Sequence, residues 1–195
     1  MVHLAGTLVG GLTAMALLWP QGTVTGWQDG AADVHLVLLV DVSESVNARE
    51  MQVERDGYVA AFRDPDLWSA IEQGAHGAIR VAYVEWSSAE SQRLVLPVTR
   101  IADAADALVF AALLEAEPVI EGQATSMSGA LAFAGAVLAG MPREGARRVI
   151  DLSSDGVNNS GPLVTAARDA LVASGQAVKG KGRGGSLARS CKTLG

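Results

Sequence analysis

Three short apolar runs, Val34–Val40, Ala78–Trp86 and Arg148–Ser153, recur along the sequence with helix-length segments between them. Runs this short and this continuously apolar suit strands buried on both faces, and separators of that length suit the crossovers that parallel pairing needs. One link breaks the rule. Arg93–Ile101 follows the second run after only "SSAESQ", too short for a crossover, so these two strands pair antiparallel. Pro97 within the later strand has no N–H to give a ladder, which puts that strand at a sheet edge. The order β-α-β-β-α-α-β-α therefore predicts a doubly wound α/β fold, a mostly parallel sheet with one antiparallel edge strand.

The intervening segments read as helices. Over Asn47–Phe62, Val46, Met51, Val53, Tyr58, Val59 and Phe62 supply apolar positions, with Arg49, Glu50, Glu54 and Arg55 mostly elsewhere on the wheel. Pro65 is expected to stop this helix, with a short turn near Leu67–Ile71. Asp103–Leu114 starts at an acidic cap and is followed by Pro118. Ser126–Ala139 is Ala-rich and apolar nearly all round, which predicts a buried helix, ended by Gly140 and Pro142. Leu163–Ala173 is the last, with Gly175 as its stop signal.

At 195 residues the chain suffices for one domain with a sizeable core. Its charge is uneven: ten of the 15 basic residues and all 21 acidic ones precede residue 179, a balance of −11 there. Such a body repels phosphates, so a nucleic-acid partner is excluded. Cys191 is the single cysteine, which rules out an intramolecular disulfide and a cysteine-based zinc site. Leu4–Trp19 is uncharged and apolar for sixteen residues, short for a bilayer span and suited to a secretory leader. Residues 1–28 are read as that leader, residues 33–175 as the domain, and residues 176–195 as a basic, glycine-rich tail. The protein is expected outside the cytoplasm, touching a membrane only through an uncleaved leader. The tail holds all three lysines and no apolar run, so it is expected to contribute no strand and to mark a disordered or frame-shifted terminus.

Chemistry gathers where the strands end. The first run passes into Asp41-x-Ser43-x-Ser45, the last into Asp155-Gly156, and "EGQATSMSGAL" places Thr125 and Ser126 at a helix start. In open α/β sheets the carboxyl ends of strands are where ligands bind, so these segments meet on one rim if the first and last strands are neighbours. Hydroxyl and carboxylate oxygens are hard ligands that suit Mg²⁺, Mn²⁺ or Ca²⁺. Two carboxylates roughly balance a divalent charge, and neutral hydroxyls leave the ion electrophilic. Taken singly, the aspartates also suit turns, and the serines suit capping of the following helix.

The pattern Asp41-x-Ser43-x-Ser45, then Thr125 before an "SGAL" helix, then Asp155-Gly156 resembles the von Willebrand factor A domain and its metal-ion-dependent adhesion site, over about residues 33–175. Within that superfamily, "YVEWSS" and "DLSSDGVNNSG" resemble the bacterial domain-of-unknown-function family 1194. The resemblance implies that Ser43, Ser45 and Thr125 coordinate the ion through hydroxyls, and that Asp41 and Asp155 hold it largely through waters. It also implies one open position for an Asp or Glu carboxylate from a partner protein, and no catalysis. Domains of this type usually continue through two further strands and a helix, which the tail does not suggest.

Two rival readings stand beside this one. A metal-assisted phosphoryl hydrolase would use Asp41 as nucleophile, but it would want an aspartate where Ser43 stands and a lysine that the body lacks. The other rival is a truncated remnant without function. Glu85 and Trp86 end the second strand near the same rim, with Trp86 read as core. Asn158 and Asn159 are read chiefly as turn formers, and His3, His35 and His76 are scattered. "GKGRGG" lacks the strand, the helix and the Lys-Ser/Thr ending of a phosphate loop.

Overall fold

The structure is a computed structural model, and it describes residues 30–182 apart from positions 144 and 156. The proposed leader over 1–28 and the tail beyond 182 lie outside the described residues. Ten elements succeed one another: β1 Val34–Asp41, α1 Ala48–Phe62, α2 Pro65–Glu72, β2 Ile79–Trp86, β3 Gln92–Ile101, α3 Ala104–Ala116, α4 Met127–Gly140, β4 Arg147–Ser154, α5 Val164–Ala173 and β5 Ala177–Gly182. The five strands form one sheet in the order β3-β2-β1-β4-β5. β1 runs parallel to both β2 and β4, β4 runs parallel to β5, and β2–β3 is the antiparallel pair. This is the expected doubly wound α/β sheet, with β3 at one edge.

Side-chain alternation divides the strands between two cores. Leu38 and Val40 of β1 join Val81 and Tyr83 of β2 beneath Val59 and Phe62 of α1 and Phe110 and Leu114 of α3. Val37 and Leu39 join Val84, Trp86, Ile150 and Leu152 beneath Leu131 and Leu138 of α4 and Leu171 of α5. Both faces of β1 are covered, which explains why its sequence does not alternate. Pro97 sits where the β2–β3 register slips, between the pairs Tyr83–Leu96 and Val81–Thr99, so its missing N–H falls at an irregularity on an edge.

Four expectations need correction. Pro65 does not stop the helical path: it opens α2, whose cap Asp64 accepts from the Asp66 N–H. Proline is well suited to a first helical turn, where its missing N–H has no helical partner to lose. The tail does contribute a strand. β5 pairs with β4 from Val149–Ala177 to Ser154–Gly182, so β4 is interior and not an exposed edge. An edge strand needs backbone pairing more than apolar side chains, and Val178 alone anchors it in the α4–α5 core. In α1, Val53 is 63% exposed while Arg55 is 1% exposed, the reverse of the wheel reading. Arg55 lies on the stripe of Met51, Val59 and Phe62, and it meets a carboxylate there. Finally, α4 is buried on one side only, with Ala132, Ala136 and Ala139 exposed.

Candidate metal centre

β1 and β4 are neighbours, so the loops that leave their carboxyl ends meet. Beyond β1 the backbone turns at once. The Ser43 N–H donates to Asp41 Oδ1 at 2.9 Å, and the Val46 N–H donates to the Ser43 carbonyl at 2.9 Å. This turn aims both serine hydroxyls the same way, leaving Ser43 Oγ and Ser45 Oγ 3.0 Å apart. Neither serine caps the following helix. Asn47 does so, in a reciprocal box: its side chain accepts from the Glu50 N–H and its own N–H donates to Glu50 Oε2. The serine hydroxyls are therefore not engaged in ending a helix.

Thr125 arrives from the other side of the rim. Its Oγ1 donates to Ser43 Oγ at 3.1 Å, and Ser45 Oγ donates to Asp155 Oδ1 at 3.0 Å. Ser126, not Thr125, caps α4 by accepting from the Gly129 N–H. Asp41, Ser43, Ser45, Thr125 and Asp155 thus form one connected chain of oxygens drawn from three separated loops. Ser43 is fully buried, and Ser45 faces solvent.

Three further residues hold this arrangement, and the sequence reading gave them lesser roles or none. Ser154 Oγ donates to Asp41 Oδ2 at 2.8 Å. Asn159 does more than form a turn. Its Oδ1 accepts from the Thr125 N–H at 2.8 Å, and its own N–H donates back to the Thr125 carbonyl at 2.9 Å. Asn158 Oδ1 accepts from the Ser128 N–H. Ala124, next to Thr125, has φ of 54°, a left-handed conformation that costs an alanine energy and marks the loop as strained just before its ligand. Gly122 is where that loop passes closest to its neighbour: a Cβ there would lie 2.2 Å from Ser87 Oγ.

The electrostatics suit a cation. Burial raises the Asp41 carboxyl above the ordinary carboxylate range, hydrogen bonds from Ser43 and Ser154 oppose that, and the nearby Asp155 adds to it. Among the described residues no three His, Cys, Asp or Glu side chains gather as a ligand group, so any ion here depends on hydroxyls. The donors fit that task. In octahedral coordination with bonds of about 2.1 Å, adjacent ligand oxygens stand about 3 Å apart. The three spacings along Thr125, Ser43, Ser45 and Asp155 run from 3.0 to 3.1 Å. A groove of about 670 Å³ between α1 and β4 leads to this rim and reaches Asp41 and Asp155.

Of the other candidates, Trp86 is fully buried in the α4–α5 core, as expected. Glu85 does not border an open surface: it is 2% exposed and paired with Arg55 and Arg93. His35 is buried beside Arg80 at the far end of the sheet.

Comparison with known proteins agrees with this geometry at the level of fold. Proximal thread matrix protein 1 from the mussel byssus, with a zinc-occupied MIDAS motif, superposes with a TM-score of 0.61 at 18% identity, over 79% of this chain and 39% of that one. A von Willebrand factor type A protein from Catenulispora acidiphila gives 0.56 at 18% identity, over 78% and 33%. The manganese-loaded TRAP protein of Plasmodium vivax gives 0.55 at 19% identity, over 85% and 63%. The chain thus spans less than two thirds of each of these molecules. No curated protein matches the sequence. The family model described as "Protein of unknown function (DUF1194)" matches residues 31–182, from before β1 to the last residue of β5. The chain accordingly belongs to the DUF1194 family, and its domain has the von Willebrand factor A fold.

Proposed function

We propose that this chain is a metal-dependent recognition module. Asp41, Ser43, Ser45, Thr125 and Asp155 hold one divalent cation, Mg²⁺ or alternatively Mn²⁺ or Ca²⁺, and the ion binds an Asp or Glu carboxylate of a protein partner. The observation that carries this reading is the oxygen chain Thr125–Ser43–Ser45–Asp155, whose links of 3.0 to 3.1 Å match the edges of an octahedral site. When bound, the ion supplies Lewis acidity and one position for an external oxygen. The chain's own residues orient it. The Ser43 N–H and the Ser154 hydroxyl fix the Asp41 carboxylate, and Asn159 fixes Thr125. Neutral hydroxyl donors leave most of the ion's charge uncompensated, which favours an incoming carboxylate.

The hydrolase alternative finds less support. Asp41 is 1% exposed and both its oxygens already accept hydrogen bonds, a poor setting for attack on phosphorus. A site outside the cytoplasm suits an adhesion-type module and the apolar Leu4–Trp19 segment.

The test is thermal. Added Mg²⁺ or Mn²⁺ should raise the melting temperature of the full chain, since a ligand that binds only the folded state stabilises it. Thr125→Ala should remove that response while changing the metal-free melting temperature little. A wild-type protein indifferent to both ions at millimolar concentration would refute the reading.

A further inference from the structure

The loop that delivers Thr125 is anchored at its far end by a buried ion cluster to which neither the sequence nor the metal reading gives a role. Glu85 of β2 is 2% exposed, on the face of the sheet that α1 and α3 cover. It accepts from Arg55 of α1 through Oε1 and from Arg93 of β3 through Oε2, the latter at 2.8 Å. Both guanidinium groups then reach the same stretch of backbone. Arg55 Nη1 donates to the Glu117 carbonyl. Arg93 Nη2 donates to the Pro118 carbonyl at 2.8 Å, and Arg93 Nη1 donates to Glu117 Oε2 at 3.2 Å. Glu117 and Pro118 are the first residues after α3, where the path to Thr125 begins.

From there the loop is held at intervals. Val119 packs on Val42, Val46 and Met51, the Gly122 N–H donates to the Val42 carbonyl at 2.7 Å, and the Ser126 N–H donates to the Ser87 carbonyl at 2.7 Å. The cluster therefore ties the start of the Thr125 loop to the helix that comes after Ser43 and Ser45, and both to the end of β2. Burying several charges is an expensive way to join helices, because an apolar contact would serve stability as well or better. What directed ion pairs add is fixed geometry.

We infer that Glu85 is a positioning residue for the metal centre: through Arg55 and Arg93 it sets where the Thr125 loop starts, and so the approach of Thr125 Oγ1 to Ser43 Oγ. This inference rests on the metal reading above. The experiment measures Mn²⁺ affinity of the full chain by electron paramagnetic resonance, alongside the metal-free melting temperature. The proteins are wild type, Glu85→Gln, Arg93→Met and Leu138→Ala, the last a core truncation at the far end of α4. Glu85→Gln should weaken Mn²⁺ binding about tenfold, the usual effect of removing a residue that orients a metal ligand. Arg93→Met, at the outer edge of the cluster and safer for folding, should weaken it about threefold to fivefold. Leu138→Ala should lower the melting temperature comparably yet keep wild-type affinity. Unchanged affinity in Glu85→Gln and Arg93→Met, with wild type binding normally, overturns the inference and leaves the metal reading standing. Equal weakening in Leu138→Ala also overturns it, by showing that affinity merely tracks stability. No Mn²⁺ binding by wild type overturns the metal reading and this inference together.

Discussion

The two ends of the sheet are built from opposite chemistries. At the rim where β1 and β4 finish, the side chains that meet are oxygens: Asp41, Ser43, Ser45, Thr125, Ser154 and Asp155. At the other end a row of nitrogen bases crosses four adjacent strands, Arg148, His35, Arg80 and Arg100 in register. Helix direction accounts for part of this. α1 and α4 begin at the oxygen rim and finish at the basic end, where Arg148 donates to the Leu138 carbonyl in the last turn of α4. A helix N-terminus tolerates anions and a C-terminus favours cations. The basic end is also occupied with holding the fold: Arg80 donates to the Gly30 carbonyl at 2.6 Å and contacts His35 Nε2 at 3.3 Å. The lesson is a division of labour. One end closes the domain, and the other keeps a set of donors spaced for something external.

The strongest way to break this comparison is at Asp41. Asp41→Asn should abolish binding of Mg²⁺ or Mn²⁺, a loss of more than about a hundredfold. Because burial raises this carboxyl, its ionised form is unfavourable in the fold. A group with a raised folded value contributes stability at low pH and loses it as pH rises through that value. The substitution should therefore raise the metal-free melting temperature at neutral pH. Thermal melts with and without metal measure both effects, and a variant that binds metal normally would erase the distinction between the two ends.

A pH series sharpens it next. His35, buried beside Arg80 and Arg148, is held down to about 4. The folded protein keeps it neutral while the unfolded chain takes up a proton below about 6.5, so its contribution is complete above that value and falls as pH drops toward 4. The loss between pH 6.5 and 4.5 should be on the order of 2 kcal/mol, and His35→Gln should flatten the profile over that window. Metal should not alter the slope that His35 contributes. The smallest effect belongs to Arg148→Met, which removes the cation from the end of α4. It should cost about 1 kcal/mol and leave metal affinity unchanged. Measurable weakening of metal binding in that variant would show that the two ends are coupled.

How much of this is legible in the sequence depends on which forces leave a side-chain pattern. β1, β2 and β4 are covered on both faces, so burial wrote continuous apolar runs for them. The five donors can be named because each lies directly beside an element whose end the sequence marks. β5 leaves almost no trace, since ladder hydrogen bonds with β4 and the single buried Val178 place it. Arg55 invites misreading because a charge on a helix usually faces water, although its spacing of four from both Met51 and Val59 puts it on the buried stripe. Its partner Glu85 lies thirty residues away, on a strand paired with a different element. Long-range charge pairing of this kind has no local signature. The Asn159 clamp on Thr125 is hidden likewise, since asparagine in a loop reads first as a turn former.

The capping of α1 carries a consequence for how such a module could diversify. Asn47 and Glu50 complete the first turn between themselves, so the helix does not depend on the chemistry of the residues just ahead of it. The loop can accordingly exchange hydroxyls for carboxylates, and one preferred ion for another, without unravelling the helix behind it. In this architecture affinity and scaffold are free to evolve on separate schedules.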